Sequence, residues 1–257
     1  MAVYIKEALM YRAELMVWRA IDAIPILAML TLWVSVYSHG NQMGQYSLRD
    51  ILTYYILGNL IQAIVVVHFE EEGVRWVNDG SIARFFLKPF TFFHHAVIGS
   101  ISWRAMSMIL AVIPIVSLLM IVFREVIVIP HIWTLIAVLL AIVLGYGIDV
   151  MVSLLIVAAA FYFEQARALA HLKWMLAGVF GGSMLPLSLF PPWMESLGRF
   201  LPFQYQFAIP VEMYLGMMTG PQAAVALVKG TVWILVLAFI VAHCWQTGVK
   251  KFSAAGG

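Results

Sequence analysis

Two small groups of residues have types and spacing suited to chemistry. Asp79-Gly80 is followed, after two residues, by Ala83-Arg84. This is the opening of an aspartate signature with which membrane-embedded phosphotransferases hold divalent metal on a pyrophosphate. That chemistry needs several carboxylates, because hard divalent cations bind through many oxygens and must neutralise the reacting phosphates. The remaining anchors are absent. The positions for an earlier aspartate, a later glycine and two further aspartates carry Trp76, Phe93, Val97 and Ile101, and Asp79 alone cannot hold such a site. The second group is His68 with Glu70, Glu71 and Glu72, followed by His94 and His95. These could in principle collect a metal, but nothing in the spacing fixes the geometry a site needs. A histidine at the end of an apolar segment beside a solvated acidic turn is the simpler reading. The chain has one cysteine, Cys244, which excludes an intrachain disulfide and a cysteine-built metal site. No His-Glu-x-x-His helix, Gly-x-Ser-x-Gly elbow or Gly-x-x-x-x-Gly-Lys loop occurs. The expectation is a non-catalytic chain that binds no cofactor itself.

The elements that must carry these residues are membrane helices. Hydrophobic residues make up 63% of the 257 positions and charged residues 11%, with a mean hydropathy of +0.95, far from the balance of a soluble domain. The net charge is +2 with basic residues dispersed, which excludes a nucleic-acid partner, since that would need a clustered basic face. A bilayer core is crossed by about 20 apolar helical residues, and six such segments can be counted, at 20–38, 51–68, 96–123, 132–163, 174–190 and 222–245. The fifth holds Gly178, Gly181, Gly182, Pro186, Pro191 and Pro192 near its end, too many helix breakers for one straight span.

Lysine and arginine near span ends give direction, because cytoplasmic segments are enriched in them. With both termini cytoplasmic, that side holds Lys6, Arg12, Arg19, Arg75, Arg84, Lys88, Arg167, Lys173, Lys250 and Lys251, against Arg49, Arg124 and Arg199 outside; Arg104 and Lys229 fall within spans. Residues 1–19 have apolar positions Tyr4, Ala8, Tyr11, Leu15 and Trp18, the spacing of an interfacial helix or of a plain extension of the first span. The first eighteen residues lack the pattern of a cleavable signal peptide. The fold class expected is therefore an all-α membrane protein, 1–257 forming one transmembrane domain. It has an N-terminal interfacial helix, a cytoplasmic loop at 69–95 between spans 2 and 3, and an external region at 184–220 between spans 5 and 6.

The loop 69–95 carries two short helical patterns. The first runs from Glu70 with Val74 and Val77 on one side and is broken at Asp79-Gly80. Ser81 can cap a second, with Ile82, Phe85 and Phe86 forming an apolar face on the membrane surface, Arg84 and Lys88 in water, and Pro89 as the stop. Acidic cluster followed by Asp-Gly-Ser-Ile-Ala-Arg-Phe-Phe-Leu-Lys-Pro-Phe, 79–90, resembles the glycine-to-Leu-x-x-Pro segment of permease subunits of type-2 ABC transporters. MLPLSLFPPWMESLGRFLPFQYQFAIPVEMYLG, Met184 to Gly216, is similar to the stretch of that family in which the fifth span ends, short re-entrant helices follow outside, and a Leu-Pro-Phe leads to a Pro and a Tyr-Leu-Gly. The resemblance covers nearly the whole chain and is nearest to three-component exporters, in which two permeases are encoded with one kind of ATPase.

That resemblance implies half of a translocation pathway, paired with a second permease chain, identical or different, and driven by two copies of a cytoplasmic ABC ATPase that holds the ATP and Mg²⁺. It places the protein in the membrane lipid of a bacterial cytoplasmic (inner) membrane and implies efflux of a peptide, drug, glycan or lipid. By position, Glu70, Glu71, Glu72, Arg75, Asp79, Gly80, Arg84, Phe85, Phe86 and Lys88 would be the element coupled to the ATPase. A six-helix carrier without ATPase is the rival, but it has no need of an exposed amphipathic element there and would more often show discontinuous helices in two related halves.

Among the charges inside spans are Arg104 in the third and Asp149 in the fourth. A charge buried in lipid costs several kcal/mol or more unless paired, so an Arg104–Asp149 pair is expected, with Asp22 as a competing partner and separate snorkelling as the alternative. The breakers Pro186, Pro191 and Pro192, with Phe203 and Tyr205 in an aromatic run from Trp193 to Tyr214, suit either an external gate or an aromatic belt at the outer interface.

Overall fold

The computed structural model describes residues 12–40, 44–85, 92–109, 113–114, 117 and 130–255. Among them all regular structure is helical, with no strand. Helices α1 (Arg12–Ser38) and α2 (Leu48–Val65) are followed by a short break, then α3 (Glu70–Asn78) and a 3₁₀ turn (Ser81–Phe85). After these come α4 (Phe92–Ser107), α5 (Ile132–Ala159) and α6 (Arg167–Phe180). A 3₁₀ turn (Leu187–Leu189), α7 (Pro192–Phe200), a second 3₁₀ turn (Pro202–Gln206) and α8 (Ala208–Tyr214) lead to α9 (Gly220–Ala255).

Three stretches among the described residues are long and apolar enough to cross a membrane: Leu48–Asn78, Ile132–Ala159 and Gly220–Phe252; Ile24–Ser38 is apolar but shorter. The first expected span lies within α1, and the third and fifth meet shorter helices. Of the third span, residues 110–112, 115–116 and 118–123 lie outside the described residues, and α4 represents its start. The fifth is displaced from its expected 174–190. Its helix begins at Arg167 and ends at Phe180, because Gly181 and Gly182 end it before the prolines are reached. Across residue 19 the helix is continuous, α1 running from Arg12 to Ser38, and residues 1–11 lie outside the described residues. α2 starts three residues before the expected span, at a cap. The Ser47 hydroxyl accepts from the Asp50 amide at 3.2 Å, and the Asp50 carboxylate accepts from the Ser47 amide at 3.0 Å, a reciprocal cap that satisfies two otherwise orphaned donors.

Three apolar clusters hold the helices together. At one end of the bundle, α3, the turn after it and the start of α4 pack on Val150, Leu154 and Val157 of α5 and Val241 of α9. α1 and α2 share a second cluster, into which Phe207 and Val211 insert. The third joins α5 to α9 around Tyr205, Ile209 and Met213. The segment 202–213 is therefore not a surface loop. Every residue in it is buried, wedged between the α1–α2 pair and the α5–α9 pair. Close approach at α5 requires Gly145, since a Cβ there would lie 2.3 Å from the Tyr205 carbonyl oxygen.

Gly145→Ala should consequently lower the melting temperature of the detergent-solubilised protein, by about 1–3 kcal/mol of overpacking, because the clashing atom is backbone. Gly178→Ala, where a Cβ meets nothing within 4 Å, should leave it unchanged.

Candidate functional site

α3 is built to look two ways. Glu70, Gly73, Val74 and Val77 face inward and are buried, at helical spacing, while Glu71, Glu72, Arg75 and Asn78 are exposed. Arg75 reaches Glu72 at 3.5 Å with both side chains more than half exposed, a pair of the kind that contributes little. Asp79-Gly80 ends the helix as expected. Gly80 takes φ +77, a left-handed conformation that glycine adopts without a Cβ penalty. The cap of the following turn is Asp79, not the expected Ser81: the Asp79 carboxylate accepts from the Ser81 amide at 2.9 Å. Hydrogen bonding from Ser81 holds that carboxyl below its ordinary range. The aspartate of the phosphotransferase-like fragment is thus an exposed cap.

The apolar face of the turn is also placed differently from expectation. Ile82 and Phe85 are buried against α3, Phe92 and α5, not laid on a membrane surface, and Arg84 lies over the Trp76 ring at 4.1 Å and the Phe85 ring at 5.0 Å. Phe85 and Glu70 are therefore inward residues, and the outward set is Glu71, Glu72, Arg75, Asp79 and Arg84. Phe86 and Lys88 lie outside the described residues. The histidines and glutamates do not converge. His68 packs against Trp174 at 5.2 Å and His95 against Phe85 at 5.2 Å, and no group of three or more His, Cys, Asp or Glu among the described residues could hold a metal ion.

α3 is tied to the bundle through the break that precedes it. Between Val65 and Glu70 the helix is interrupted, leaving backbone groups that no helical partner satisfies. Charged side chains satisfy them. The Arg104 guanidinium donates to the carbonyls of Val65 and Val66. The Asp149 carboxylate accepts from the Val67 amide at 2.6 Å, and the Lys173 ammonium donates to the Val67 carbonyl at 3.1 Å. Lys173 also lies 2.9 Å from Glu70, the first residue of α3, 3.2 Å from Asp149 and 2.7 Å from the Ser153 hydroxyl. Glu70, Asp149, Ser153 and Lys173 are all at most 3% exposed. Two carboxylates and Lys173 thus form a buried cluster at the elbow where α2 becomes α3, with the half-buried Arg104 on the adjoining carbonyls.

This elbow, carrying a charged helix at the end of an apolar bundle, can be set beside known proteins. The family model described as ABC-2 family transporter protein matches residues 23–256. The chain belongs to the ABC-2 transporter family. It is a multi-pass transmembrane subunit of an ABC transporter, a family that works with an ABC ATPase partner. No curated protein and no solved structure matches the chain.

Within this ABC-2 subunit the expected Arg104–Asp149 pair is corrected. The ionic partner of Asp149 is Lys173, and Arg104 bonds carbonyls instead, with its guanidinium 5.0 Å from the Tyr146 ring centre. Lys173 was counted as a flanking residue because the fifth span was begun one residue after it. A sequence signal for it exists: Ala166, Ala170, Lys173 and Ala177 recur in steps of four, three and four, and all are buried, so the lysine sits on the packed small-residue face of α6. Asp149 likewise shares a face with Gly145 and Ser153. The side chain of Asp22 lies outside the described residues.

The residues expected at an external gate differ in exposure. Pro191 and Pro192 are exposed at the start of α7, with Pro192 at its first position, whereas Pro186, Phe203 and Tyr205 are buried. The Tyr205 hydroxyl donates to the Ala226 carbonyl of α9. What fixes this region is an ion pair that the sequence reading did not single out: Arg199 binds Glu212 through two bonds, at 2.6 and 3.0 Å.

Removing Lys173 should be costly, because it strands two buried carboxylates. Lys173→Met is expected to lose about 3–5 kcal/mol of stability, read as a lowered melting temperature in detergent. The neutral combination Lys173→Met, Glu70→Gln, Asp149→Asn should recover most of that loss.

Proposed function

We propose that this ABC-2 subunit is a six-span permease of a bacterial cytoplasmic membrane, with both termini cytoplasmic, forming half of a translocation pathway with a second permease chain, identical or different. Two copies of the ABC ATPase drive it. ATP and Mg²⁺ are bound there and not by this chain, whose part is mechanical. The transported compound is amphipathic or lipidic, a peptide or a glycan, and it moves outward. The observation that carries the coupling part of this reading is the two-faced α3 segment: its inner face is fixed by Lys173 and the α5 packing, and its outer face is left charged and exposed. A helix anchored on one side and wetted on the other can take a push without folding away from it. Export and the need for a second permease rest on the resemblance to three-component exporters, and six spans on the count of apolar segments.

The test is affinity purification of the tagged chain in mild detergent, with mass spectrometry of what accompanies it and an ATPase assay. The wild type should bring down an ABC ATPase with activity. The double reversal Glu71→Lys, Glu72→Lys on the outer face should lose it while the melting temperature of the chain stays unchanged. An intact wild-type chain that purifies without an ATPase, or a double reversal that keeps it, contradicts the reading.

A further inference from the structure

Asp149 has a second neighbour that the elbow does not explain. Its other carboxylate oxygen accepts from the Gln206 side-chain amide at 2.8 Å. Gln206 ends the 3₁₀ turn 202–206, in the buried segment 202–213 between the two helix pairs. Bonded contacts therefore run without interruption from the first residue of α3 to that segment: Glu70 to Lys173 at 2.9 Å, Lys173 to Asp149 at 3.2 Å, Asp149 to Gln206 at 2.8 Å. All four side chains are at most 3% exposed, so water does not screen the path.

The two residues flanking Gln206 pack in opposite directions. Tyr205 belongs to the α5–α9 cluster and Phe207 to the α1–α2 cluster. A backbone displacement at Gln206 would carry both rings with it, since the three residues are consecutive. The segment is otherwise pinned by Arg199–Glu212 at its far side. The network is also unevenly satisfied. Lys173 has four acceptors within reach for three protons, while Glu70 Oε2 and Gln206 Oε1 have no partner. A saturated network has one arrangement; one with spare acceptors at both ends and an over-subscribed ammonium between them has a second within a side-chain rotation.

We infer that Gln206 is a positioning residue that transmits displacement of α3, through Lys173 and Asp149, to the buried segment 202–213 between the two helix pairs. Its use in transport rests on the proposed coupling of α3 to an ATPase; the mechanical link itself does not.

Hydrogen–deuterium exchange on the full chain in nanodiscs tests the link, in the wild type, Glu70→Gln, Gln206→Met and the double variant. Methionine keeps the shape and removes the donor. Glu70→Gln should raise exchange severalfold at 65–70 and also at 202–213. In the Gln206→Met background it should still do so at 65–70 and add nothing at 202–213. Wild-type rates at 202–213 in Glu70→Gln, or an equal rise there with and without Gln206, overturn the inference. The first comparison decides even if Gln206→Met does not fold. With the ATPase bound, ATP and vanadate should alter exchange at 202–213 in the wild type and not in Gln206→Met; a change that persists in the variant also overturns it. If no ATPase binds the wild type, the coupling reading fails, and the Glu70→Gln comparison still judges the link.

Discussion

The structure depends on how one interrupted helix is satisfied inside an apolar bundle. A chain that must turn from a membrane-crossing direction into a short surface helix has to break its hydrogen-bond ladder, and freed carbonyls and amides among hydrocarbon side chains are costly. Here the free groups of Val65, Val66 and Val67 are taken by Arg104, Asp149 and Lys173. These charges would themselves be unaffordable alone in that setting. Opposite signs and backbone dipoles together offset these charges, so break and charges each account for the other. Loss of any one member exposes the remainder, which is why such clusters behave as a unit.

From that constraint follows the division of the molecule into a fixed and a presented part. Glu70 is both the first residue of α3 and the carboxylate that meets Lys173, so the helix is anchored at its start by the same cluster that closes the break. Val74, Val77, Ile82 and Phe85 hold the rest of the inner face on α5. The residues left outside are charged or capping. An exposed element with this rigidity is suited to be moved as a body, in keeping with a subunit whose family works with a separate ATPase.

Much of this was legible in the sequence where local rules apply, and less where partners are distant in the chain. The break at Asp79-Gly80 and the irregular end of the fifth span follow from turn chemistry and helix breakers. The charged loop was read correctly as amphipathic, yet its apolar face was assigned to the membrane surface, since periodicity reports a face and not what covers it. The Arg104–Asp149 pairing went astray for a definite reason. Hydropathy placed Lys173 outside the fifth span, although its register with Ala166, Ala170 and Ala177 marks it as inward. Gln206 carried no signal at all: an uncharged amide in an aromatic run gives no hint of a partner 57 residues away.

The central claim, that the outer face of α3 is where an ATPase meets this chain, is tested most directly by photo-crosslinking in cells. A photoreactive residue at Glu71, Arg75 or Arg84 should capture an ABC ATPase, and one at Trp193, exposed on α7, should not. Capture at Trp193, or none at the three α3-side positions in a chain that inserts normally, would contradict the account.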